Sequence, residues 1–443
     1  MLNTVTYKKI WHIALPIIIS GVAQNVVNVT DTAFLGQVSN VALGAAGNAG
    51  IFYFLIIITG MGFTTGAQIL IGRRNGEQNF AAIGKIVDHT LYFILPFALS
   101  IFLLVHTYSY EFLAKITQSP DILEAATAFL DYRIWGIFLA FLNFVFIAFF
   151  VGITKTKILS YVTIFMMLVN VVLDYTLIFG KFGFEPMGVK GAALASVISE
   201  VCATLFFIVY TLKYVDLPKF ELFTFKKYDA TLFKRMFTVS SPIMLQNFLS
   251  LSSWFIFFMI IEKMGETELA ISHIVRSIYM VLMIPLFGFS SATNTMVSNL
   301  IGEGRMELVM NVIKKIILLS LGCTFLLSLV SFFIPEFLVR FYTNDPLLIS
   351  QTTATLRVIN FTMFFFSIAF ILFNGVTGTG NTKASLLIEA INIIIYLIAA
   401  YYIAIKLESS LPVVWASEFI YFGFLGLFSY LYLKKGNWRS LNI

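Results

Sequence analysis

The chain has 443 residues, of which 59% are apolar and 12% charged, and its mean hydropathy is +0.90. No water-soluble chain of this length hides so much apolar surface, so the composition requires a polytopic membrane protein. The net charge of +6 is dispersed over short loops, which argues against a nucleic-acid partner, and the two cysteines, Cys202 and Cys323, lie in apolar runs, which excludes a disulfide framework.

Twelve apolar runs reach spanning length. They cover 11–35, 47–71, 87–107, 134–153, 159–179 and 191–212, then 238–261, 270–300, 316–339, 357–376, 385–405 and 411–433. Lys8 and Lys9 precede a full-length run with no small-residue cleavage site after it, so this stretch reads as a first span rather than a cleavable signal. In span 1, Pro16, Ser20, Gln24, Asn28 and Asp31 recur at helical spacing and share one face. A carboxylate near mid-membrane costs about 2.5–3.5 kcal/mol on insertion scales, so the default reading of Asp31 is functional.

Span 5 carries Asn170 and Asp174 four residues apart, hence on one face, and span 6 carries Ser196 and Glu200 in the same relation. With the span 1 stripe, the first half of the chain offers carboxylates and neutral oxygens together. Hard cations take oxygen ligands, and a proton needs a carboxylate tuned by its surroundings. Gln24, Asn28, Asp31, Asn170, Asp174, Ser196 and Glu200 are therefore candidates for binding a cation or proton or for lining a polar cavity. The bland alternative is that these groups only hydrogen-bond helices to one another. In the second half, Arg276 and Glu389 are the evident embedded charges, and a mutual ion pair is expected.

Positive charge sets the orientation. Twenty Lys and Arg residues, among them Lys8, Arg73, Lys85, Lys155, Arg305, Lys383 and the six from Lys213 to Arg235, fall on one side. Eight, including Lys115, Arg133, Lys190 and Lys263, fall on the other. Both termini are thus expected in the cytoplasm.

The chain also repeats at an offset of 226 residues. Pro16 meets Pro242, Gly62-Phe63-Thr64-Thr65 meets Gly288-Phe289-Ser290-Ser291, and Gly152 to Lys157 meets Gly378 to Lys383. Six spans is an even number, so the halves insert with the same orientation. The expected fold is an all-α polytopic membrane protein with two six-helix lobes related by a pseudo-two-fold axis along the membrane normal. The expected division is an amino-terminal lobe at 1–212, a cytoplasmic linker at 213–235 and a carboxy-terminal lobe at 236–443. At the same offset Asp31 meets Phe257, Asn28 meets Trp254, Asn170 meets Tyr396 and Asp174 meets Ala400. A scaffold role would appear in both lobes; a one-sided polar set suggests a dedicated site.

The residues Leu15-Pro16 and Asp31-Thr32-Ala33-Phe34-Leu35-Gly36 resemble the MATE family, the multidrug and toxic compound extrusion transporters. So do Asn170 to Gly180 and Gly188-Val189-Lys190-Gly191-Ala192-Ala193-Leu194-Ala195-Ser196, and the resemblance covers nearly the whole chain. It implies a twelve-helix secondary antiporter that expels organic, often cationic, compounds in exchange for Na⁺ or H⁺. It also implies a cation site at Asp31, Asn170, Asp174 and Ser196. Another branch of the family carries acids in spans 7 and 10; Ser250 and the region of Ser367 hold none here. The expected partners are small-molecule drugs or toxic metabolites and the bilayer, with no nucleic acid. No cofactor beyond the coupling ion is expected, and the chain is expected to act as a monomer in a bacterial inner membrane. The alternative is a lipid-linked oligosaccharide flippase, disfavoured because Arg276 is the one cation placed at membrane depth. An enzyme is disfavoured because the spans lack a His-Glu metal motif, a Ser/Lys pair or clustered histidines.

Overall fold

The computed structural model describes residues 5–441, and among these it contains helices and no strand. Twelve helices are long and apolar enough to cross a membrane. Spans 1 to 6 are Tyr7–Val38, Asn40–Gly76, Phe80–Ala114, Pro120–Gly152, Lys157–Phe179 and Val189–Tyr214. Spans 7 to 12 are Ala230–Glu262, Glu266–Gly302, Met306–Phe333, Pro346–Gly378, Thr382–Lys406 and Leu411–Lys435.

Each predicted run has its helix, but several helices extend well past the apolar stretch. Span 4 starts at Pro120 rather than 134, and span 10 at Pro346 rather than 357. Capping explains both starts. Ser119 accepts from the Ile122 N–H and Asp345 from the Leu347 N–H, each followed by proline in the first turn, where no N–H is needed. Ser119-Pro120 and Asp345-Pro346 are themselves 226 residues apart, so the repeat governs helix starts as well as spans. One consequence is a correction: Arg133, expected among the loop cations, lies inside span 4.

The chain forms two compact units, Ile19–Met244 and Met1–Ile18 with Leu245–Ile443. A division by loops near 212 and 236 follows the chain, whereas the division by contacts falls inside spans 1 and 7. Ile18 and Met244 are each two residues past a helix-interior proline, Pro16 and Pro242, and are 226 residues apart. Proline removes one backbone hydrogen bond from a helix, so each unit boundary adjoins a locally weakened turn.

The unit Ile19–Met244 is packed around Phe63, Phe141, Phe149 and Phe150, with Phe63 stacked on Phe93 at 4.0 Å and Phe146 on Phe207 at 5.3 Å. Span 5 ends on Gly180 at φ +66, where a Cβ would overlap the Pro186 nitrogen, so the turn that carries the chain from span 5 to span 6 requires glycine. The charged segment after span 6 is tied down: Asp88 Oδ2 accepts from Phe225 N–H at 2.9 Å and His89 Nε2 from Asp229 N–H at 2.8 Å. The other unit is packed around Trp415, Tyr279, Phe257 and Phe289.

Candidate functional site

Span 1 carries Asp31 and span 5 carries Asn170 and Asp174 to one place. With its amide nitrogen facing the two acids, Asn170 donates to Asp31 Oδ1 and to Asp174 Oδ2, each at 3.2 Å. The two carboxyl groups are also in hydrogen-bonding contact with each other. Such a contact needs a proton on one of them, because two carboxylate oxygens have no donor to share. Asn170 and Asp174 are fully buried, and Asp174 Oδ1 has no hydrogen-bond partner. A buried carboxylate oxygen without a donor is costly, and a small cation or a proton is what such an arrangement of oxygens can accept.

The remaining candidates divide. Ser196 is half-buried on span 6, and its carbonyl accepts from Ser199 Oγ at 2.8 Å; its own hydroxyl makes no hydrogen bond to the three site residues. Gln24 and Asn28 are exposed on span 1, and the Asn28 carbonyl accepts from Thr32 Oγ1 at 2.8 Å. Glu200 is no free cavity acid. Arg133 donates to both its oxygens, at 3.0 and 2.6 Å, and the guanidinium lies 4.1 Å from the centre of the Tyr53 ring. A Cβ on Gly136 would overlap Arg133 Nη1 and Glu200 Oε2, so glycine there leaves the room this pair occupies. The positive charge of Arg133 is also felt at Asp31 across the same unit. Sequence reasoning missed Arg133 because it precedes the most apolar part of its helix; the Ser-Pro cap fourteen residues upstream was the signal that the helix starts earlier.

The expected ion pair between Arg276 and Glu389 does not form. Glu389 Oε1 instead accepts from Ser250 Oγ at 2.6 Å and from Tyr421 OH at 2.7 Å, while Arg276 lies 5.2 Å from the centre of the Phe258 ring. Both charges occur in apolar runs, and pairing them ignored two better-placed alternatives: hydroxyl donors for the acid, an aromatic face for the cation. A further embedded acid was overlooked. Glu418 in span 12 is buried and accepts from Tyr279 OH at 2.9 Å.

Where the first repeat sets Asp31 against Asn170, the second sets Phe257 against Tyr396, ring centres 5.6 Å apart. Twelve spans in two six-span repeats, with a buried carboxyl pair in the first, define a polytopic membrane protein. The MatE family model matches residues 16–176 and again 242–402, the same offset of 226 read from the residues, and the chain belongs to this family. It is 26% identical over 438 residues to the "Probable multidrug resistance protein NorM" of Thermotoga maritima, covering 98% of this chain and 93% of that one. The Rhizobium meliloti protein of the same description is 26% identical over 335 residues, 75% of this chain and 71% of the relative. Among solved structures, an outward-facing multidrug resistance MATE family transporter of the MOP superfamily superposes with a TM-score of 0.89 at 18% identity, covering 97% and 95% of the two chains. A MOP superfamily transporter from Pyrococcus furiosus, described by the reverse polarity of its binding pocket, gives 0.88 at 18% identity and the same coverage. The chain is thus a polytopic membrane protein of the MatE family, similar along nearly its whole length to proteins described as multidrug resistance transporters.

Proposed function

We propose that this transporter is a cation-coupled antiporter that exports organic, often cationic, compounds by alternating access, taking Na⁺ or H⁺ in return. The observation that carries the reading is Asp174: fully buried, sharing Asn170 with Asp31, and left with one unsatisfied carboxylate oxygen. The pair holds one proton between its carboxyls, or Na⁺ in place of that proton, with Asn170 orienting both acids. Arrival of the cation from outside neutralises the pair, and its loss to the inside restores the charge. Each charge moved inward at roughly 100 mV supplies about 2.3 kcal/mol, enough for roughly a fortyfold gradient of a neutral compound. Ser196 joins the ligand set through its place in the motif. The same reading places the chain as a monomer in a bacterial inner membrane with both termini cytoplasmic, as the distribution of Lys and Arg supports.

The test is dye efflux in everted vesicles, driven in one arm by a Na⁺ pulse and in the other by a pH jump. Asp31→Asn and Asp174→Asn should abolish uphill export while leaving abundance close to that of the wild type. A well-expressed Asp31→Asn protein that still drives uphill efflux at the wild-type rate would refute this assignment.

A further inference from the structure

The unit Ile19–Met244 also holds a cavity of about 280 Å³ whose chemistry is the reverse of the carboxyl pair. The end of span 2, the first turns of span 3 and the start of span 7 wall it, and Arg74, Asn79, Lys85, Asp229, Thr231 and Arg235 are among its lining residues. Three cations thus share the wall with one acid. That acid is already engaged: Asp229 Oδ1 accepts from the N–H groups of Thr231 and Leu232, at 2.9 and 3.1 Å. Arg74 is paired with Glu77. The side chains of Lys85 and Arg235 are exposed and enter no ion pair or hydrogen bond among the described residues. Lys85 reaches Asp229 through its field alone. Asn79 Oδ1 accepts from the Ala82 N–H at 3.4 Å, so the amide has its own N–H groups to offer. The wall is rich in donors and short of acceptors.

The depth of the cavity is set by the apolar runs that lead away from it. Arg74 lies three residues past the run at 47–71, Lys85 two residues before that at 87–107, and Arg235 three before that at 238–261. At 1.5 Å of rise per residue, the three cations stand about 3–4.5 Å beyond the ends of their apolar runs. The polar layer on each side of a bilayer is about 5–7 Å thick, so the cavity opens among lipid headgroups. Basic pockets between spans at that level are suited to anionic headgroups. Charge that served only to orient the chain would need no cavity. At the offset of 226, Arg74 and Lys85 meet Leu300 and Asn311, and Arg235 meets Lys9, so the cluster is not part of what both repeats share.

We propose that this cavity binds the phosphate group of an anionic membrane phospholipid of the phosphatidylglycerol class. Arg74, Lys85 and Arg235 are its cationic contacts, with Asn79 and Thr231 as neutral donors. A phosphodiester carries one negative charge and offers only acceptor oxygens, which complements this wall, and guanidinium groups match phosphate geometry. A zwitterionic lipid would bring a quaternary ammonium to the same three cations, which repel it. Free phosphate would have to come from bulk water, whereas a lipid phosphate is held at this depth by its acyl chains and so at high effective concentration. The inference stands independently of the coupling ion and of which side of the membrane is cytoplasmic.

Native mass spectrometry of the purified full chain tests it, with dioleoyl phosphatidylglycerol or dioleoyl phosphatidylcholine added stepwise to the detergent and bound lipids counted. One phosphatidylglycerol should bind ahead of the rest, and phosphatidylcholine should show no such step. Lys85→Gln/Arg235→Gln should weaken that lipid roughly twenty-five-fold, about fivefold for each cation. Lys155→Gln/Lys213→Gln removes as much charge from exposed positions outside the cavity and should leave the step unchanged. Arg235→Gln alone, with a loss of about fivefold, serves as the second variant should the double change elute as aggregate on size exclusion. Inorganic phosphate at matched ionic strength should not displace the lipid. Equal weakening by the two double variants would reduce the binding to a general attraction for basic residues and overturn the site. So would unaltered binding in a folded Lys85→Gln/Arg235→Gln protein, or a first phosphatidylcholine as tight as the first phosphatidylglycerol. Displacement by inorganic phosphate would give the cavity to a free anion and overturn the lipid.

Discussion

Breaking the pair between Arg133 and Glu200 would report directly on how the amino-terminal repeat is held together. Both side chains are 14% exposed, and two hydrogen bonds of 3.0 and 2.6 Å join them. With the charge centres about 4 Å apart and an effective dielectric near 20, their attraction is about 4 kcal/mol. Removing one partner strands the other, which typically costs about 3–5 kcal/mol. In Glu200→Gln the guanidinium keeps the Tyr53 face, worth about 0.5–2 kcal/mol, so a net loss of about 3 kcal/mol is expected. Arg133→Met should cost a similar amount, and Arg133→Met/Glu200→Gln, which removes both charges together, should cost no more than either single change. Reversible SDS unfolding of the four purified proteins in mild micelles gives the cycle, with a coupling of roughly 3 kcal/mol expected. Additive single losses would refute the partnership. Glu200→Gln also frees Arg133 to turn to Asp31, so cation affinity in the vesicle assay should fall roughly tenfold for each 1.4 kcal/mol of competition.

Other outcomes follow from the same geometry. Asn170→Ala should weaken the dependence of efflux on cation concentration more than the maximal rate, because the amide orients both acids. Arg276→Ala and Glu389→Ala should lower the amount of folded protein additively, since the two charges have separate partners; a coupled loss would restore their ion pair. Gly180→Ala should shift the SDS unfolding midpoint by the equivalent of about 1–2 kcal/mol or more, from the left-handed backbone and the overlap with Pro186. Asp229 lies below its usual carboxylate range because the N–H groups of Leu232 and Thr231 donate to it at the start of span 7. Its folded value is depressed, so the cap is present above the unfolded value and lost as pH falls through the folded one; hydrogen exchange at Thr231 and Leu232 should rise there. Single cysteines at Lys115 and Glu266, with Cys202 and Cys323 removed, should react with an impermeant thiol reagent from outside, and those at Asn75 and Asp229 only after the cells are opened.

Much of this protein is written locally in its chain. Spanning helices follow from runs of apolar residues, because lipid leaves the backbone no partner but itself. The repeat follows from matched prolines, glycines and loops at one offset, and the family model falls on that same offset. Asp31, Asn170 and Asp174 could be singled out because a carboxylate in an apolar run is expensive wherever it points. Which groups meet was another matter. Arg133 and Glu200 come from spans 4 and 6, and Glu389 passes over Arg276 for Ser250 and Tyr421. Charge sign alone made Arg276 and Glu389 look like partners, but pairing depends on rotamer reach and on competing donors, which residue spacing does not encode. The unpartnered atoms of Glu389 and Asn392 were invisible for the same reason. An orphaned polar atom is a property of its neighbours, and only the packed tertiary structure determines who they are.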